Sequence, residues 1–128
     1  MDRQKNIAVR KTLDQIGVKH NIKGYGYIIL AIEMCLEDRN KLNCVVKGIY
    51  AEIAQENNDK VIRVERAIRH AIEITWKNGN TNAINKIFGY TVSARKGKPT
   101  NSEFIALITD FVSLYGGEIA NDSYKWQE

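Results

Sequence analysis

Apolar residues recur three and four positions apart along almost the whole chain, and a single proline interrupts that spacing. No stretch of useful length alternates apolar and polar residues, which is the signature of a half-buried strand. An all-α fold is therefore expected. With 128 residues, such a chain can bury roughly two-thirds of its unfolded surface, so one compact domain over residues 1–128 with one core is predicted.

Six helical segments follow from where the apolar stripes start and stop. The first, Arg3 to Ile16, puts Val9, Leu13 and Ile16 on one face and ends at Gly17. The second, Lys23 to Asp38, turns Tyr27, Leu30, Ala31, Met34 and Cys35 inward, with Asn21 as a candidate N-cap. Gly24 and Gly26 each weaken its first turn by roughly 1 kcal/mol relative to alanine, which points to close packing there. A third segment, Val45 to Glu56, aligns Val45, Ile49, Ile53 and Ala54, with Asn43 positioned to cap it. The chain then turns at Asn57 and Asn58, because asparagine tolerates positive φ better than most residues, and Asp59 is placed to cap the next helix.

The fourth segment, Lys60 to Lys77, carries the strongest pattern. Val61, Val64, Ile68, Ala71, Ile72, Thr75 and Trp76 form an inward seam, while Arg63, Arg66, Arg69, His70, Glu73 and Lys77 face out. Asn78 and Gly79 stop it. A fifth helix, Thr81 to Phe88, closes at Gly89, and the basic loop TVSARKGKPT leads to the sixth. That last helix opens with Thr100 and Glu103 in capping-box spacing and aligns Phe104, Leu107, Ile108, Phe111 and Leu114. Beyond Gly116 and Gly117 the tail to residue 128 is expected to fray.

Charge narrows the function classes. A formal net charge of +4 favours a polyanionic partner, and nothing in the sequence favours catalysis. His20 and His70 lie far apart, without metal-ligand, nucleophile-base or phosphate-loop spacing around them, so no enzyme, metal, cofactor or small-molecule substrate is expected. Cys35 and Cys44 lack CxxC spacing and read as reduced core or interface residues. The start, MDRQKNIAVRKTL, holds no signal-like apolar run, and Tyr27 to Leu36 is far shorter than the ~20 residues of a membrane span, so a cytoplasmic protein is predicted.

Segments three and four match a helix-turn-helix over about residues 45–78. Ala54 is small where the helices must approach, Asn58 falls in the turn, and Val64 sits at the next interhelical contact. A recognition helix exposes its first turns to the major groove while its other face is anchored. Arginine gives a bidentate pair to guanine and a carboxylate accepts from the cytosine amino group, so Arg63, Glu65 and Arg66 form a base-reading set. Lys47, Lys60, Arg69, His70, Arg95, Lys96 and Lys98 are candidates for backbone or secondary contacts, though the same residues would also suit a solvated surface.

The stretches RVERAIRHAIE from Arg63 to Glu73, FGYTVS from Phe88 to Ser93, KPTNSEFIA from Lys98 to Ala106, and IGV with IKGY between Ile16 and Tyr25 carry a resemblance. Through them the chain resembles the C-terminal effector domain of the sporulation master response regulator of endospore-forming Firmicutes. The resemblance implies a six-helix domain that binds promoter DNA as tandem dimers and contacts RNA polymerase, a sigma factor being one such partner. It also implies that Arg63, Glu65 and Arg66 read bases and that the sixth helix, through Phe104, Leu107, Ile108 and Phe111, forms the homodimer on DNA.

Departures accompany it. Asp59, Lys60, Val61 and Ile62 stand where the family has small hydroxylated residues, Cys44 and Val46 replace similar ones, and the ending from Tyr115 to Glu128 differs. The family's receiver domain is not in this sequence, which reads either as an excised effector domain or as a naturally receiver-free relative, the start MDRQKN favouring the second. These changes raise a second function class: an interaction module that binds a sigma factor or a full-length family member without using DNA itself.

Overall fold

In the computed structural model the described residues are 2–89 and 97–126, and all of their regular structure is helical. The helices are α1 (Arg3–Ile16), α2 (Lys23–Glu37), α3 (Ala51–Glu56), α4 (Val61–Asn78), α5 (Thr81–Phe88) and α6 (Asn101–Ala120). A 3-10 turn (Arg39–Asn43) and a π-helical turn (Val45–Tyr50) lead from α2 into α3. The all-α expectation holds.

The core is built by α2, which packs on α4 and α6, and by α1 laid along α6. Ile28, Ile32, Ile49, Ile53, Ile68, Ile72, Phe104 and Ile108 are wholly buried there. Full burial of each such side chain stabilises the fold by about 1.5–3 kcal/mol. Two glycines set the spacing of this frame. Gly17 caps α1 at φ +92°, a left-handed conformation that L side chains rarely adopt. At Gly24 a Cβ would lie 2.2 Å from the Ala67 carbonyl oxygen, so α2 and α4 touch backbone to backbone. Gly26 has open space around its Cβ position, so the predicted close packing belongs to Gly24 alone.

Several predicted details are corrected. Ile22, Cys44 and Lys60 occupy the N-cap positions of α2, the π turn and α4, and none makes a side-chain capping bond. Asn21, Asn43 and Asp59 therefore do not serve as those caps, whereas Thr100 and Glu103 do form the capping box of α6. The third segment is not one α-helix: its first six residues wind more loosely, with π geometry, before α3 begins. Val61 is exposed rather than inward, and Cys44 is exposed while Cys35 is buried.

The tail does not fray at Gly116. α6 continues to Ala120, Ile119 is buried, and the chain folds back so that Tyr124 and Trp126 pack on Phe111 at ring separations of 5.3 and 5.5 Å. Lys86 lies over the Tyr124 ring and donates to the Lys125 carbonyl at 2.7 Å. Two helical glycines cost roughly 1 kcal/mol each, and the partial burial of Tyr124 and Trp126 together with the burial of Ile119 acts against that cost.

Candidate nucleic-acid interface

The turn between α3 and α4 is tightened by Asn58, whose φ of +51° is left-handed. Asp59 comes next, and its side chain is only 4% exposed. Oδ2 accepts from the Tyr27 hydroxyl at 2.5 Å and from Lys23 Nζ at 3.1 Å, and Oδ1 accepts from the Lys60 backbone N–H at 2.8 Å. These donors, the Tyr27 hydroxyl foremost, hold the Asp59 carboxyl at a pKa of about 2. The acid beside the start of α4 is thus spent on anchoring the helix to α2 and presents little negative charge outward.

α4 itself is pinned by Val64, Ile68, Ala71, Ile72 and Thr75, all buried. Its far side carries Arg63, Arg66, Arg69, His70, Glu73 and Lys77, all exposed as the spacing predicts. Arg63 is 70% exposed, with its nearest carboxylate, Asp59, 4.0 Å away. Arg66 is exposed as well.

Glu65 sits differently from the two arginines. Arg69 Nη1 donates to both of its carboxylate oxygens at 2.9 and 2.8 Å. Asn101 Nδ2, at the start of α6, donates to the Glu65 backbone carbonyl at 3.1 Å, lies 3.4 Å from its Oε2, and donates to the Tyr50 hydroxyl oxygen at 3.1 Å. One amide thus joins the π turn, α4 and α6. The sequence reading missed Asn101, whose only signal was its place directly after the Thr100 cap. It also missed the Tyr27 and Lys23 partners of Asp59, since nothing local relates residues so far apart.

Lys47 and Lys60 are exposed on the elements that flank the turn. Lys98 lies 3.8 Å from Glu73, a long pair in solvent. Arg95 and Lys96, and most of the FGYTVS stretch, lie outside the described residues. Of the expected dimer set, Phe104 and Ile108 are wholly buried, Phe104 stacked on Phe88 at 5.5 Å, and Phe111 is covered by the tail. In the single chain they fill the domain's own core. Leu107 is partly buried; Leu114 and Tyr115 are the large apolar side chains that α6 exposes.

The family model described as sporulation initiation factor Spo0A C terminal matches residues 9–112. The chain belongs to this family. The Spo0A C-terminal family is one of helical DNA-binding effector domains of a sporulation regulator, not a family of enzymes. The match takes in α2 to α5 and most of α1 and α6, and leaves the aromatic tail outside. Among the described residues, no helix is long and apolar enough to cross a membrane.

Proposed function

We propose that the chain is a sequence-specific transcription regulator that lays α4 in the major groove of double-stranded promoter DNA. The observation that carries this is the pair of exposed guanidinium groups, Arg63 and Arg66, on the first turns of a helix whose opposite stripe is buried. Each is suited to a bidentate contact with guanine, which discriminates by ~1–3 kcal/mol. Glu65 completes the set by accepting from a cytosine amino group. Its pairing with Arg69 is an i,i+4 ion pair at the surface, a type worth about 0.3–0.5 kcal/mol, so a base can compete for it.

Lys47, Lys60, His70 and Lys98 contact phosphates in this reading, and Arg69 alternates between Glu65 and the backbone. Two copies pair on adjacent half-sites, and RNA polymerase is met through its sigma factor. Titration of a promoter duplex and a random duplex at several salt concentrations tests the proposal. Arg66→Ala removes preference for the promoter duplex and keeps weak general binding, whereas Lys98→Ala weakens both and flattens the salt dependence. Equal loss on both duplexes for Arg66→Ala would count against base readout, and no binding preference in the wild type favours an interaction module instead.

A further inference from the structure

Ile62 lies in the first turn of α4 with 54% of its surface exposed. A lone apolar side chain on a protein surface calls for no account, but the position of this one does. Residues four apart share a helix face, so Ile62 stands one turn before Arg66, on the side opposite Val64, Ile68 and Ala71. Lys60 and Arg63 flank it and are exposed, while the neighbouring acid, Asp59, is withdrawn against Tyr27. An apolar tip beside Lys60, Arg63 and Arg66, with the nearby Glu65 paired to Arg69, fits a polyanion that also offers apolar groups. The major groove does so at the C5-methyl of thymine.

We infer that Ile62 reads a thymine methyl beside the guanine read by Arg66, adding an apolar specificity contact to the polar set. This inference rests on the major-groove reading above. The gain from covering one methyl corresponds to about fourfold in affinity.

The test begins with selection of duplexes from a random pool by the wild-type chain at ~150 mM salt, where purely electrostatic binding is weak. The enriched duplex is then remade with uracil at each thymine in turn, which deletes only the methyl, and with 7-deazaguanine at each guanine. The expected result is one thymine, next to an Arg66-dependent guanine, whose replacement costs the wild type about fourfold and leaves Ile62→Ser unaffected. Ile62→Val, which keeps branched methyls, retains the sensitivity. Thermal melting confirms that both variants fold. If guanine changes register through Arg66 but no thymine change depends on Ile62, the inference falls and base readout stands. If no sequence is enriched, base readout falls and the inference with it.

Discussion

The Tyr27 hydroxyl donates to Asp59 Oδ2 at 2.5 Å, joining the start of α2 to the turn that launches α4. Asp59 has its carboxyl held at a pKa of about 2 by that bond, by the Lys60 N–H and by Lys23. An unfolded aspartate titrates near ~3.9. The folded value is the lower one, so the stabilisation from this carboxylate is fully present above about pH 4 and is lost as the pH falls through about 2. Tm measured against pH should show wild type above Asp59→Asn at neutral pH, with the gap closing between about pH 4 and about pH 2. A gap that stays constant over that range would overturn the assignment.

The two glycines at the start of α2 should respond to alanine with opposite signs. At Gly24 the new Cβ meets backbone at 2.2 Å and the Ala71 Cβ at 2.8 Å, so α2 must move away from α4. Overpacking of this kind costs about 1–3 kcal/mol. At Gly26 nothing lies within 4 Å, and alanine there should stabilise the helix by about 0.5–1 kcal/mol. Urea unfolding of the two variants measures both.

Thiol chemistry should separate the two cysteines. Cys44 is exposed, whereas burial pushes the Cys35 thiol up to about 11. Because the thiolate is the nucleophile, an aromatic disulfide reagent at mildly alkaline pH should titrate one thiol in the folded protein and the second only after denaturation. Cys44→Ser should abolish the fast reaction, and a fast reaction that survives in it would show Cys35 to be accessible.

The helices were legible because their signals are local. Apolar spacing placed α1, α2, α4, α5 and the start of α6 to within a residue or two, and the Thr100 and Glu103 pair marked its cap. The features that escaped depend on distant partners. The π turn keeps the same apolar residues as an α-helix would, so Ile49 and Ile53 are buried either way and spacing alone cannot reveal the change of winding. That Asn101 reaches Glu65 is decided by where α6 begins in space. The tail misled for a related reason. Gly116 and Gly117 read as a stop, and the packing that carries the helix through them, of Ile119 and the folded-back Tyr124 and Trp126, comes from partners distant in sequence.

In the proposed reading, the backbone contact between Gly24 and Ala67 also bears on how a duplex is met. No side chain lies between them to yield, so the start of α2 and the middle of α4 meet on backbone, and the proposed recognition helix is seated before any partner arrives. Little conformational entropy remains to be lost on association. The heat-capacity change of binding should then reflect the apolar area covered, without a coupled folding contribution. In the proposed reading, discrimination among sequences then falls to the fit at base edges and to the deformability of the DNA more than to any change of angle between α2 and α4.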